Sequence, residues 1–355
     1  MWTYDAEQRG YKYIQAEINL PIEDKEIFLN EFWSFANDQT KYVFISQITS
    51  TTGMILPIPE IVVEAKKRGI KTIIDGAHVP AHISLNIKEL DPDYYTGALH
   101  KWLCCPKGIS FLYVKKEYQG GIQPMVKSWG WGEEYEEFKP SAQLHSPSRF
   151  INVFQWQGTK DMSVFFTVPE AIQFQKEHDW DSVRSRCFNM VIEARNRITE
   201  ITKLPKICPD NWLGQMATIL FPIEDTVAFK KTLYNDYQIE MPVMTHKEHT
   251  AFRISIQGYN SEKDIDHLIN SLEDKSTFNK PLSASISIRS PFLINPIGPP
   301  IAASGPICPI ENPCVPPEKR PSVINATSSP NPCPYIAPVV DNISGIPGLP
   351  FGPSY

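Results

Sequence analysis

The sequence lacks several features that define large classes of proteins. None of its 355 residues lies in an apolar run approaching the roughly 20 positions that a membrane-spanning helix needs. The first residues, Met1–Glu7, show no basic stretch followed by an apolar one, as a secretory leader would. The formal net charge is −6, whereas nucleic-acid binding needs clustered lysine and arginine. We therefore expect a cytoplasmic protein without membrane or nucleic-acid partners.

Metal-binding patterns are also scarce. The seven cysteines contain no CxxC pair, and without a leader we expect reduced thiols. His78 and His82 are four residues apart, but there is no HExxH sequence and Pro80 disfavours a regular helix. We therefore predict no metal site. The adjacent Cys104 and Cys105 are interpreted as packing residues, with a reactive thiol as the alternative.

Short apolar runs alternate with a helical pattern in the first half of the chain. A helix is predicted over 59–68, because Pro59 opens it and Gly69 closes it. Strands are predicted at Tyr42–Ile45, Thr72–Ile74, Tyr94–Gly97 and Ile109–Val114. Short buried strands separated by helical crossovers indicate an α/β fold with a mainly parallel sheet.

The pattern changes near Ser163 and again after Lys280. Beyond Ser163 the predicted elements are helical over 169–202, a strand at 216–221, a helix at 225–237, strands at 239–243 and 252–256, and a helix at 260–274. This order suggests a smaller α+β domain. More than half of the 32 prolines follow Lys280, which is typical of disorder. We predict a large domain over 1–162, a small domain over 163–279 and a tail over 280–355.

Two sites in the first half carry residues suited to chemistry. Asp75 directly follows a buried strand, at the edge of the sheet where α/β proteins place ligands; a turn or helix-capping aspartate is the alternative. Lys101 lies between His100 and Trp102 ahead of an apolar segment. Desolvation there would lower the pKa of its amine and make it nucleophilic toward an aldehyde, although a structural lysine remains the alternative.

Taken together, these motifs resemble the class V aminotransferase family of fold-type I enzymes that use pyridoxal 5′-phosphate (PLP). The resemblance is carried by Asp75–His78, by Tyr95–Leu103 and by Pro106–Gly108, which a strand follows. It extends from about Gly10 to Asp274. Within the family the sequence is most similar to isopenicillin-N-epimerase-like proteins and related cysteine C–S lyases.

The resemblance implies a role for each residue of this core. Lys101 matches the lysine that holds PLP as an aldimine and moves the substrate α-proton. Asp75 matches the carboxylate that pairs with the pyridine nitrogen and keeps it protonated, so that the ring can accept electrons. His78 matches the position near the phenolic oxygen of the cofactor, and His100 the residue that helps to bind its phosphate.

Further matches lie outside this core. Gln47, Thr49 and Ser50, in the loop after the strand that precedes Asp75, would line the cofactor site. Thr159 matches a threonine that reaches the cofactor phosphate of the neighbouring subunit, which implies a homodimer. Arg253 matches the arginine that binds the substrate α-carboxylate, a task suited to a planar bidentate donor; a solvated or structurally paired arginine is the alternative.

The implied activity is epimerisation or C–S lysis of an amino acid, with a sulfur-containing derivative as the expected substrate. An aminotransferase or cysteine-desulfurase activity is an alternative. The resemblance begins in the middle of the family's large domain, so we expect a partial sheet. A catalytically inactive fragment, which binds PLP weakly or pairs with another chain, therefore remains a second alternative.

Overall fold

The protein is described by a computed structural model that covers residues 2–128, 148–155, 157–246, 249–274 and 290–293. Residues 2–13 belong to a separate compact unit and form helix α1, Trp2–Arg9. Within α1, the Nε atom of Arg9 donates to the carboxylate of Asp5, one turn earlier, at 2.9 Å. All other described residues belong to the second unit.

The second unit contains a four-stranded mixed sheet. Its strands are β2 (Tyr42–Ser46), β3 (Lys71–Asp75), β4 (Tyr94–Ala98) and β5 (Ser110–Val114), in the order β2-β3-β4-β5. The first three strands are parallel, whereas β5 is antiparallel to β4 because a short connection without a helix cannot return the chain in the parallel direction. The α/β fold predicted from the sequence is confirmed, and all four predicted strands are present.

Helices in the first half pack beside this sheet or connect its strands. They are α2 (Lys25–Ser34), α3 (Ile58–Lys67), the one-turn helix α4 (Ile87–Leu90) and α5 (Arg149–Gln155). The predicted helix over 59–68 corresponds to α3, whose apolar face, including Ile58 and Ile61, is buried. α2 was not predicted; the side chain of Asp24 caps it by accepting from the Ile27 N–H at 2.7 Å.

An antiparallel sheet of three strands follows. Its members are β6 (Met216–Leu220), β7 (Val243–His246) and β8 (His249–Ser255), in the order β6-β8-β7. The helices of this part are α6 (Thr167–Glu177), α7 (Trp180–Thr202), α8 (Thr226–Tyr237) and α9 (Glu262–Glu273). A separate two-stranded pair joins β1 (Glu17–Leu20) to β9 (Ser290–Leu293).

Two sequence predictions in this part were wrong in detail. The helical stretch predicted over 169–202 is two helices, because Asp179 adopts a left-handed conformation with φ of 44° between α6 and α7. The strand predicted over 239–243 is an irregular connection: Gln238 is left-handed at the end of α8, and Pro242 has no N–H for a ladder. The ladder starts only at Val243.

One apolar core joins the two sheets. A continuous cluster of buried side chains includes Ile45 and Ile74 of the first sheet, Met216 and Phe252 of the second, and Leu268 of α9. This shared core fixes the two sheets against each other. The predicted tail, 280–355, lies outside the described residues except for β9. Among the described helices, none is long and apolar enough to cross a membrane.

Candidate active site

Two of the predicted site residues, Asp75 and Lys101, lie where the parallel strands end. Asp75 is the last residue of β3, and its register partners are Ser46 at the end of β2 and Thr96 in β4. Lys101 follows shortly after Ala98, the last residue of β4. The carboxyl edge of a parallel sheet is the usual ligand-binding edge in α/β folds, so the backbone alone places this carboxylate and this amine on one side.

Two hydrogen bonds orient the Asp75 carboxylate. Its Oδ2 atom accepts from the Ser46 hydroxyl at 3.2 Å, and its Oδ1 atom accepts from the Ala77 N–H at 2.9 Å. Each carboxylate oxygen can accept a further hydrogen bond. The side chain is therefore fixed in direction and still able to pair with an additional N–H donor.

The chain can turn after Asp75 only because residue 76 is glycine. A Cβ atom on Gly76 would lie 2.1 Å from the hydroxyl oxygen of Tyr95. Tyr95 is fully buried, and burial together with the nearby Asp75 raises its pKa well above the usual value. Its hydroxyl donates to the carboxamide oxygen of Gln47 at 2.8 Å. The Gln47 carboxamide is thus already hydrogen-bonded within the protein. Its contact with a cofactor remains a prediction.

His78 contacts the Lys101 amine directly. The Nε2 atom of His78 lies 3.1 Å from Nζ of Lys101, and the indole N–H of Trp102 donates to Nδ1 of His78 at 3.2 Å. The sequence predicted that His78 and Lys101 share a site. It did not predict that Trp102, the residue after the lysine, also contacts His78.

Burial and neighbouring positive charges favour the neutral forms of His78 and Lys101. Burial lowers the pKa of His78 to about 2, aided by the positive charges of Lys101 and Arg253 and by His82. Lys101 is exposed as a residue, but its amine is partly buried at the His78 contact, and this desolvation lowers its pKa. Asp75 opposes that change and Arg253 adds to it. A lysine with a lowered pKa presents more of the nucleophilic free amine.

His82 joins this region to the second sheet. Its Nδ1–H donates to the His78 carbonyl at 3.0 Å, and its Nε2 accepts the backbone N–H of Gln215 at 2.6 Å. Its ring also packs on Trp102, with 4.2 Å between centroids. Burial lowers the pKa of His82 to about 3. No sequence pattern assigned His82 this role.

Gln257, just after β8, completes the connection. Its carboxamide N–H donates to the Trp102 carbonyl at 3.2 Å, while its oxygen accepts from the Gln215 side chain at 3.1 Å. Neither glutamine lies in a motif that sequence reasoning could have identified. Together they tie the lysine-bearing loop to β6 and β8.

Arg253, on β8, lies near the same site. Its Nη1 group donates to the Ser50 carbonyl and, at 3.4 Å, to the Ser50 hydroxyl. Its Nε–H is buried and has no hydrogen-bond partner within the described part of the chain. Burial also lowers the pKa of the guanidinium. Its charge acts on both His78 and Lys101, so the structure places the predicted carboxylate-binding arginine beside the predicted catalytic lysine.

The remaining predicted residues occupy other positions. The Thr49 hydroxyl is engaged in its own turn, where it accepts from the Met54 N–H at 3.1 Å and pairs with the Thr52 hydroxyl. Nδ1 of His100 donates to the Ile109 carbonyl at 3.0 Å. Thr159 is exposed in the loop after α5. The cofactor roles of Thr49, His100 and Thr159 remain predictions.

The two adjacent cysteines differ. Cys105 is buried, and burial raises the pKa of its thiol to about 11, in agreement with a packing role. Cys104 is exposed, so its interpretation as a packing residue was wrong. Its sulfur lies 3.7 Å from the Gln257 carboxamide nitrogen, and partial desolvation of the thiol raises its pKa.

The family model described as Aminotransferase class-V matches residues 5–268. The chain therefore belongs to the class V aminotransferase family. In agreement, the chain has the fold-type I architecture of PLP-dependent enzymes. The solved structure of a cysteine desulfurase from Escherichia coli superposes with a TM-score of 0.61 at 19% identity, over 77% of this chain and 67% of that one. The resemblance inferred from the motifs is confirmed.

Within the family, the chain is similar to two bacterial isopenicillin N epimerases. It is 30% identical over 281 residues to that of Amycolatopsis lactamdurans and 31% identical over 243 residues to that of Streptomyces clavuligerus. The first match covers 78% of this chain and 71% of the relative. The second covers 66% of this chain and 60% of the relative, so part of each relative has no counterpart in the alignment.

Proposed function

We propose that the chain binds PLP covalently through Lys101 and acts on an amino acid. The contact between the Lys101 amine and His78, at 3.1 Å, carries the proposal; it lies at the edge of the sheet that also holds Asp75, and the pKa of the amine is lowered. A neutral lysine amine is the group that reacts with an aldehyde. The family supports the same cofactor.

The residues at this edge fit the chemical groups of PLP. Asp75 can accept one more hydrogen bond on each oxygen and would hold a protonated pyridine nitrogen. His78 would lie beside the phenolic oxygen, and His100 would contribute to phosphate binding. When bound, PLP supplies an electron sink for negative charge at the substrate α-carbon.

Arg253 supplies the group expected to bind the substrate carboxylate. Its Nη1 is engaged by Ser50, but its buried Nε–H lacks a partner among the described residues. An unsatisfied buried N–H on a cation is costly, and a carboxylate would satisfy it through a charge-assisted hydrogen bond. With the carboxylate held there, the Lys101 amine would take a proton from the α-carbon or return it.

Epimerisation is the reaction that we favour. The isopenicillin N epimerases match most of the chain, and epimerisation needs only removal and return of the α-proton. C–S lysis of a sulfur-containing amino acid begins with the same proton removal and is the second candidate. The exposed Thr159 would serve the cofactor phosphate of a second copy in a homodimer.

Covalent labelling tests the cofactor assignment. The purified chain is mixed with PLP, and the visible absorption band is recorded before and after borohydride reduction. Digestion and mass spectrometry then locate the reduced pyridoxyl group, which we expect on Lys101. Lys107→Ala, which changes an exposed lysine nearby, should keep the band, and Lys101→Ala should lose it. Equal absorbance from both variants would contradict the proposal.

Isotope exchange separates the two reactions. The PLP-loaded chain is incubated in D₂O with L-amino acids, including sulfur-containing ones. Deuterium at the α-carbon of both enantiomers would indicate epimerisation. Release of sulfide or a thiol together with a 2-oxo acid would indicate C–S lysis. A chain that carries PLP on Lys101 but exchanges no α-proton would support the alternative of an inactive binding protein.

A further inference from the structure

We propose that Trp102 is a positioning residue that holds His78 in the tautomer with its proton on Nε2, directed at the Lys101 amine. The tautomer itself follows from contacts within the chain. Its use in catalysis rests on the function proposed above.

The direction of the Trp102 hydrogen bond determines the tautomer. An indole N–H can only donate, so Nδ1 of His78, 3.2 Å away, must present a lone pair. A neutral imidazole with an unprotonated Nδ1 carries its proton on Nε2. A doubly protonated ring is excluded, because its Nδ1–H would then face the indole N–H of Trp102 with no acceptor between them.

The same argument fixes the form of Lys101. Nε2 of His78 lies 3.1 Å from the lysine Nζ atom, and with its proton there it must donate. An ammonium group has no lone pair to accept that hydrogen bond, whereas a neutral amine has one. Trp102 therefore favours the reactive form of Lys101 without contacting the amine itself.

The charges around His78 agree with a neutral ring. Among the titratable groups that act on it, the Arg253 cation disfavours a second proton, and Lys101 and His82 would do the same in their charged forms. Asp75 is the acidic group that acts on Lys101. The ring is buried as well, so desolvation acts in the same direction as the charges.

Trp102 is itself held in place from two sides. Its ring packs on His82, and its carbonyl accepts from Gln257 at 3.2 Å. His82 carries its proton on the other nitrogen, because its Nε2 accepts from the Gln215 backbone and its Nδ1 donates to the His78 carbonyl. The structure thus assigns opposite tautomers to two histidines that lie four residues apart.

Nitrogen NMR of the chain without cofactor tests the tautomers directly. In protein with ¹⁵N-labelled histidine, ring nitrogen shifts distinguish protonated from unprotonated nitrogens. His78→Gln and His82→Gln assign the signals. At neutral pH we expect a proton on Nε2 of His78 and on Nδ1 of His82. A proton on Nδ1 of His78, or a doubly protonated ring, would overturn the inference even if no variant of Trp102 folds.

Trp102→Phe keeps an aromatic ring and removes the N–H. We expect the His78 signals to move toward the Nδ1-protonated form. Nε2 could then accept from an ammonium group, and the pH at which Lys101 reacts with formaldehyde and cyanoborohydride should rise by about one unit or more. Trp212→Phe is the matched control, because Trp212 is 6% exposed, against 7% for Trp102, and packs on Phe28. Equal shifts in both variants, or none in Trp102→Phe, would contradict the positioning role.

This experiment separates the inference from the proposed function. Formaldehyde labelling and NMR need no PLP, so the expected tautomers could be observed in a chain that never binds the cofactor. Conversely, PLP could attach to Lys101 while His78 shows the other tautomer. The first result would contradict only the proposed function, and the second would contradict only the inference about the tautomer.

Discussion

The imidazole of His82 accepts the backbone N–H of Gln215 at 2.6 Å across a sequence separation of 133 residues. This hydrogen bond joins the loop after β3 to the start of β6. A Cβ atom on the preceding residue, Gly214, would lie 2.5 Å from the His82 Nε2 atom, so the backbone can approach the ring only through a glycine. His82 is 3% exposed, so this hydrogen bond is buried.

His82→Phe should destabilise the fold. The phenyl ring can still pack on Trp102, but the buried Gln215 N–H would lose its acceptor, which costs about 1–3 kcal/mol. Urea unfolding followed by circular dichroism measures the difference. His178→Phe is the control, because His178 is exposed at the end of α6, and its loss should change stability by less than about 0.5 kcal/mol. Similar losses of unfolding free energy in the two variants would show that the Gln215 contact does not stabilise the fold.

The buried state of His82 also predicts a pH dependence of stability. Its pKa is about 3 in the folded chain and 6.5 as a reference, so the unfolded chain takes up the proton first as pH falls. The stabilisation is complete above about pH 6.5 and is lost as pH falls toward about 3. Between pH 7 and 5 the native chain should lose about 2 kcal/mol more than His82→Phe does. Parallel losses in the two proteins would refute the lowered pKa.

Gly76→Ala should disrupt the turn that carries Asp75. The new methyl group would lie 2.1 Å from the Tyr95 hydroxyl, and Tyr95 is fully buried and bonded to Gln47. Overpacking of this kind costs about 3 kcal/mol or more. Thermal unfolding of the soluble protein measures the loss. Gly120→Ala, at a site with no atom within 4 Å of the added carbon, should leave stability nearly unchanged.

The reactivity of Lys101 should respond to its two charged neighbours in opposite directions. Arg253 lowers its pKa, so Arg253→Met should raise the pH at which the amine is labelled; Arg253→Lys keeps the charge and should have less effect. Asp75 raises the pKa, so Asp75→Asn should lower that pH. Formaldehyde labelling read by mass spectrometry gives both midpoints, with the exposed Lys107 as internal reference. Shifts in the same direction for Arg253→Met and Asp75→Asn would count against this electrostatic account.

The fold of the first half could be predicted because each of its strands is a short, largely apolar run with one buried face. Continuous apolar runs marked β2 to β5, and Asp75 and Lys101 could be assigned to the ligand-binding edge because each follows such a strand. α2 was missed: Ile27 is 49% exposed, so its apolar residues do not lie on a single buried face. The strand predicted over 239–243 was wrong because the prediction followed the β-branched residues of this segment. Pro242, which cannot donate to a ladder, was given too little weight.

The centre of the site could be predicted, whereas its supporting contacts could not. Asp75, His78 and Lys101 lie in motifs with characteristic spacing, and Arg253 follows from the resemblance. Gln215 and Gln257 reach the site only because the second sheet packs against the first through a common core. Such contacts depend on tertiary structure, and no local pattern in the sequence encodes them.

The hydrogen bond from Gln257 to the Trp102 carbonyl also links two of the predicted functions. Gln257 lies two residues beyond the strand that carries Arg253, and Trp102 is the residue after Lys101. Under the proposed function, a change that breaks this hydrogen bond would therefore affect carboxylate binding and proton transfer together.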